Sequence, residues 1–149
     1  MKTSDQKAQT VLYNRIIFVL ATLGVIIAIY VFQSFVRQTP IVCVNTGCET
    51  VRKSPSSYIF GFPVPGVGLI GYSIIAVLAF LRTTESKNKF KFLQGILGMS
   101  TFGVLFVSWF TYTELFIIRA ICTWCAISAI NMFIIFGLTL KSHVLEKQS

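Results

Sequence analysis

Residues Ile16 to Val36 read IIFVLATLGVIIAIYVFQSFV, an apolar run with no charged side chain, bracketed by Arg15 and Arg37. About 20 such residues wound as a helix cross the hydrocarbon of a bilayer, because a helix satisfies its own backbone hydrogen bonds where no water is present. Three more stretches have that length and character, at 63–81, 92–110 and 115–140. The chain has 149 residues, of which 54% are hydrophobic and 12% charged, so little remains for a water-soluble unit. The expected fold is an all-α integral membrane protein: a bundle of four transmembrane helices forming one domain over residues 1–149, with an outer loop over 37–62.

The net charge of +8 would suggest nucleic acid in a soluble protein, but in a membrane protein the position of each cation carries more information than the sum. Lys2, Lys7 and Arg15 precede the first span, Arg82, Lys87, Lys89 and Lys91 fill the connection between the second and third, and Lys141 and Lys147 follow the fourth. Arg37, Arg52, Lys53 and Arg119 fall on the other side. The positive-inside rule therefore places both termini and the 82–91 connection in the cytoplasm. The first apolar run is too long for a signal peptide and has no small-residue cleavage site before Arg37, so the first helix is expected to stay in place.

Four cysteines form two pairs, Cys43 with Cys48 as C-x4-C and Cys122 with Cys125 as C-x2-C. The first pair falls in the outer loop and the second in the first turns of the fourth span, so all four meet at one membrane face, where disulfides persist. Buried cysteine is often mere apolar filler, but four in two pairs at one face argue against that. Two structural disulfides are the better alternative. A C-x-x-C bridge inside a helical turn closes too small a loop to restrain the unfolded chain much, and its usual use is redox chemistry. Zinc is disfavoured because the only histidine, His143, lies at the other side, and covalent haem needs a histidine where Ala126 stands.

Thr46 and Glu49 have the spacing of a capping box, which would open a short helix and place Cys48 in its first turn, within the field of the helix dipole and near Arg52 and Lys53. Arg119 stands three residues before Cys122 and offers it a similar field. Cys122 and Cys125 share a helix face at different depths, which suggests a relay from water toward the bilayer. Ser54-Pro55-Ser56-Ser57 ends the short helix, and Pro63 or Pro65 opens the second span. Between them, residues 58–65 either fold back as a cap over a pocket or lie as a plain interfacial loop. Gly66, Gly68 and Gly71 allow close helix packing or close approach of a cofactor, with packing the safer reading. No ionisable residue falls in the middle of a span, since Glu114 and Arg119 sit near the outer boundary. Trp109, Tyr112 and Trp124 gather there as an aromatic belt, and Trp124 lies inside the C-x-x-C.

Taken together, Cys43 and Cys48, Val51 and Ser54, Phe60-Gly61, Gly68 and Tyr72, and Cys122-Thr123-Trp124-Cys125 followed by Asn131 resemble the vitamin K epoxide reductase family over roughly residues 16–140. The resemblance implies four helices around a quinone of the ubiquinone or menaquinone type, under a cap made by the loop and its half-helix. It implies that Cys122 and Cys125 are the active-site pair, with Cys125 nearest the quinone, and that Phe60, Tyr72 and Trp124 are further quinone contacts. Cys43 and Cys48 match the loop pair that shuttles electrons from a thioredoxin-fold partner, and Ser54 matches a loop serine associated with the active site. The expected order is attack of the partner on Cys48, resolution by Cys43, and transfer from Cys43 to Cys122. Mammalian members carry an asparagine and a tyrosine implicated in holding vitamin K; Val64 and Ala129 stand there in this chain. A bacterial, DsbB-like enzyme of the inner membrane that oxidises a separate DsbA-like protein fits best, with vitamin K epoxide or quinone reduction as the alternative. A metal-transport component would need thiols leading to the cytoplasmic side, as would an importer of reducing equivalents, and the chain has none there.

Overall fold

The computed structural model describes residues 2–84 and 87–148, and of Lys2 the backbone alone. The chain runs through α1 (Lys2–Arg37), the short α2 (Gly47–Lys53), a 3-10 turn (Pro55–Ser57), strands β1 (Tyr58–Ile59) and β2 (Phe62–Pro63), then α3 (Val64–Thr84), α4 (Lys89–Tyr112) and α5 (Thr123–Gln148). A π-helical turn, Thr113–Ile118, continues α4. Among the described residues, α1, α3, α4 with its π turn and α5 are long and apolar enough to cross a membrane.

The four long helices close into a ring in which α1 packs on α3, α3 on α4, α4 on α5 and α5 on α1, and the side chains of Tyr72 and Arg82 reach from α3 to the diagonally opposite α5. Many large apolar side chains face outward, including Leu23, Ile26, Val77, Phe80, Leu105 and Ile130; a lipid-facing surface has this composition because hydrocarbon imposes no cost on it. The interior has two apolar clusters. One joins Ile17, Ala21, Tyr72, Ile75, Ala79, Ile96, Met132 and Ile135. The other, at the cysteine end, joins Val31, Phe35, Ile41, Val51, Val64 and Phe110 to Cys48 and Cys122.

Two contacts fix helix register. The Tyr72 ring packs against Gly24 of α1, where any Cβ would collide with it, and its hydroxyl donates to the Ser128 carbonyl of α5 at 2.6 Å. Asn131 of α5 donates to the Leu20 carbonyl of α1 at 3.0 Å. At the far end from the cysteines, Arg82 is buried rather than lying in a loop: it is part of α3, and it bonds Asn14 of α1 and Ser142 and Glu146 of α5. Lys7, Arg15, Lys87 and Lys89 surround the same end.

The fourth span does not begin at Leu115 as its apolar run suggests. Leu115 to Ile118 finish the π turn, Arg119 takes a left-handed conformation at φ 58°, and α5 starts only at Thr123. Neither glycine nor proline marks this break, so hydropathy reads straight through it.

Replacing Gly24 with alanine is expected to destabilise the bundle by about 1–3 kcal/mol through overpacking, lowering the melting temperature in detergent by roughly 2–4 °C per kcal/mol. Gly137, with nothing within 4 Å of its Cβ direction, should accept alanine with an unchanged or higher melting temperature, since alanine favours helix by about 1 kcal/mol over glycine. Thermal unfolding of the two purified variants checks the difference in sign.

Candidate redox site

The outer loop folds into a cap over the cysteine end, and of residues 58–65, read either as a cover over a pocket or as a plain interfacial loop, only Val64 and Pro65 line the cavity beside Cys125. β1 and β2 pair Tyr58 with Pro63 and Ile59 with Phe62, and the turn residues Phe60 and Gly61 both have positive φ, the geometry of a tight hairpin turn. Phe62 and Phe32 close over Gly66, so that glycine serves packing. Arg52, 5% exposed, is bonded to Glu49 and to Gln38 at the end of α1, and Glu49 accepts from the Ile41 backbone. These bonds tie α2 to α1 and hold the Glu49 carboxyl below the usual carboxylate range, chiefly through Arg52. Thr46 makes no side-chain cap bond; instead the Asn45 side chain accepts from the Gly47 backbone at 3.2 Å, an Asx turn that does the capping work. Glu49 is engaged elsewhere, and the expected capping box does not form.

Gly47 abuts the Ile121 carbonyl so closely that a Cβ would collide with it, which seats the start of α2 on the turn before α5. In consequence Cys48, disulfide-bonded to Cys43, has its Sγ 3.2 Å from the Sγ of Cys122. Both are 1% exposed. Cys43 is half-buried and lies 3.3 Å from the Thr123 hydroxyl. It is flanked by Val42 and Val44, which are 77% and 92% exposed. Trp124 donates to the Val42 carbonyl at 2.7 Å and packs edge-on against Tyr30, pinning the loop to α5. Cys122 and Cys125 are free thiols.

Cys122 precedes α5 and stands at its N-terminus, with its carbonyl accepting from the Ala126 N–H. The Cys125 thiol and, more weakly, the Cys125 and Trp124 backbone N–H groups bring its pKa down to about 7 against the opposing effect of burial. That environment favours a thiolate near neutral pH. Arg119 is exposed on the turn and is not among the groups that produce this shift.

Cys125 opens onto a cavity of about 90 Å³ between all four long helices. Tyr72 and Trp124 line it, together with Val64, Phe106 and Ala129. Phe60 does not line it: it projects fully exposed from the hairpin tip. Ser54 is also away from the cavity and caps the 3-10 turn by accepting from the Ser56 N–H. The fully buried serine of the cap is Ser57, bonded to the Val51 carbonyl. Gly68 and Gly71 line the cavity with nothing within 4 Å of either Cβ direction, so here the glycines leave space rather than tighten packing. A flat ring with an apolar tail suits this lining, which is almost wholly apolar.

One further buried group stands beside the thiols. Glu114, on the π turn, is 2% exposed and its carboxyl interacts with the Cys125 thiol and the Cys122 backbone. Only its position eight residues ahead of the C-x-x-C hinted at this, and that hint depends on the unforeseen π turn.

A model of the vitamin K epoxide reductase family matches residues 15–140. The chain belongs to that family. It is a multi-pass membrane oxidoreductase of the group that works on quinones or vitamin K-type substrates and with thioredoxin-like partners. Among curated proteins, none matches the chain.

In this family member, Cys48 and Cys122 are expected to cross-link directly. A variant carrying Cys43→Ala and Cys125→Ala should form a Cys48–Cys122 disulfide on mild oxidation. The reciprocal variant, Cys48→Ala with Cys125→Ala, should give at least about tenfold less Cys43–Cys122 product, because exchange needs sulfurs in contact. Peptide mapping under non-reducing conditions measures both.

Proposed function

We propose that this protein oxidises the dithiol of a separate thioredoxin-fold protein of the DsbA type and delivers the electrons to a membrane quinone in the cavity beside Cys125. The observation that carries the reading is the chain of contacts from an accessible disulfide, through a 3.2 Å sulfur-to-sulfur approach, to a thiol facing an apolar cavity. The excess of cations at the end opposite the cysteines supports an orientation with that end in the cytoplasm of a bacterial inner membrane.

The order of transfer that suits this geometry reverses the expected one. A partner thiolate attacks Cys43, whose neighbours Val42 and Val44 are open to a docking protein, and breaks the Cys43–Cys48 bond, with Cys48 leaving as thiolate. The partner's second thiol resolves the mixed disulfide, leaving Cys43 and Cys48 reduced. Cys48 then attacks Cys122 of a Cys122–Cys125 disulfide and expels Cys125. Cys43 attacks Cys48, restoring the loop disulfide and releasing Cys122. The result is the arrangement observed, with the loop pair bonded and Cys122 and Cys125 free. A bound quinone supplies the two-electron sink that restores the Cys122–Cys125 disulfide. The protein's part is to bury Cys122 at a helix N-terminus, to aim Cys125 at the cavity and to keep water out with Phe106, Phe110 and Val107. Val64 and Ala129 give the cavity wall no hydrogen-bonding side chain at the positions where mammalian relatives hold vitamin K, which favours quinone over the epoxide as the acceptor.

Anaerobic mixing of oxidised protein with a reduced DsbA-like protein and excess ubiquinone or menaquinone tests the reading. Loss of quinone absorbance should match partner oxidation one to one, and Cys125→Ala should abolish both. Failure of partner oxidation by intact protein overturns the assignment. Gly68→Leu should raise the KM for quinone at least about tenfold by filling the cavity, with the melting temperature and Cys48–Cys122 cross-linking unaltered.

A further inference from the structure

Among the described residues Glu114 is the only fully buried carboxylate, and it makes no salt bridge. Its Oε1 has no hydrogen-bond partner. Its carboxyl meets the Cys125 thiol and the Cys122 backbone N–H, so it stands beside the two reacting sulfurs. It is carried on the π turn, where the Glu114 carbonyl accepts from Ala120 and helps shape the approach to Cys122; single π turns recur at functional sites because the extra residue re-aims a side chain. The other ionisable groups around it are accounted for. Cys48 of α2 lies behind Cys122, Arg52 of α2 is paired with Glu49, and Arg119 on the following turn is exposed. A buried carboxyl without a cation gains nothing from ion pairing and costs several kcal/mol when charged. What it offers its neighbours is a transferable proton.

The exchange described above needs one. When the Cys48 thiolate bonds to Cys122, the Cys122–Cys125 bond breaks and Cys125 departs with the electron pair, next to an apolar cavity. A naked thiolate there is a poor leaving group unless a proton meets it. We propose that Glu114 is the proton-transfer residue of the C-x-x-C pair: it protonates the Cys125 sulfur as that sulfur leaves the disulfide, and takes the proton back when Cys125 is reoxidised. In the first step Glu114 becomes a carboxylate and Cys125 a thiol. In the second, the Cys122–Cys125 bond re-forms and the Cys125 proton returns to Glu114; a quinone held in the cavity would take the electron pair, with two protons from solvent. Glu114 ends a turnover in the state in which it began.

This proposal rests on the reading of Cys122 and Cys125 as a redox pair, and the test separates the two. A variant with Cys43→Ala and Cys48→Ala retains only that pair. Its disulfide, formed by mild oxidation without quinone, is reduced with dithiothreitol over a pH series, and the thiols are counted by quenched alkylation and mass. With Glu114 present, the rate per dithiothreitol thiolate should fall at high pH as the carboxyl loses its proton. Glu114→Gln keeps the shape and a hydrogen-bond donor but should slow reduction about 100-fold, within the range for general acid catalysis, and erase that fall. Glu114→Asp should keep the fall at a lower rate, which also covers the case in which the glutamine variant does not fold. A rate within threefold of the parent and an unaltered pH profile in Glu114→Gln would overturn the role of Glu114 alone. A Cys122–Cys125 disulfide that cannot be formed or reduced even with Glu114 intact would overturn the redox reading beneath it.

Discussion

The contact between the start of α2 and the turn ahead of α5 governs everything at the cysteine end. Gly47 lies against the Ile121 carbonyl with no space for a side chain, and this approach places the sulfurs of Cys48 and Cys122 at 3.2 Å. Disulfide exchange is a displacement at sulfur that demands direct contact between attacking and attacked atoms. A larger residue at position 47 would lift α2 and separate the pairs, leaving each cysteine couple intact but isolated. The Arg52, Glu49 and Gln38 bonds and the Trp124 bond to Val42 brace the same contact from either side. The precision of the site thus comes from the cap and not from the spanning helices alone.

Beneath the cap, the bundle divides polar from apolar work. Buried polar side chains at the far end, Asn14, Arg82 and Ser142, bond one another and tie α1, α3 and α5 together. The middle is closed by Tyr72 packed on Gly24 and bonded to Ser128. Above that seal the helices leave a cavity lined by glycine, valine and phenylalanine, with Cys125 on its wall. Such a space suits a lipid-soluble acceptor and excludes the water that would otherwise compete for a reactive thiol.

Much of this was legible in the chain. Four apolar runs, the pairing of the cysteines, the short helix after Asn45 and the helix start near Pro65 all follow from local composition and turn chemistry, which act over a few residues. The readings that needed correction depend on distant partners. The capping box failed because Glu49 is drawn to Arg52 and Ile41; Phe60 points away from the cavity because two left-handed residues turn the hairpin outward; and the start of α5 moved because nothing in an apolar run records a π turn.

By itself the sequence determined that the chain crosses a membrane four times and that its four thiols collect at one end, since hydrophobic length and the alternation of spans admit few other arrangements. Which thiol meets which, and that a carboxyl stands against Cys125, were decided only by the tertiary structure. These depend on a glycine-to-carbonyl contact 74 residues apart in the chain and on a helix that widens by one residue at its end, and neither leaves a mark in local composition.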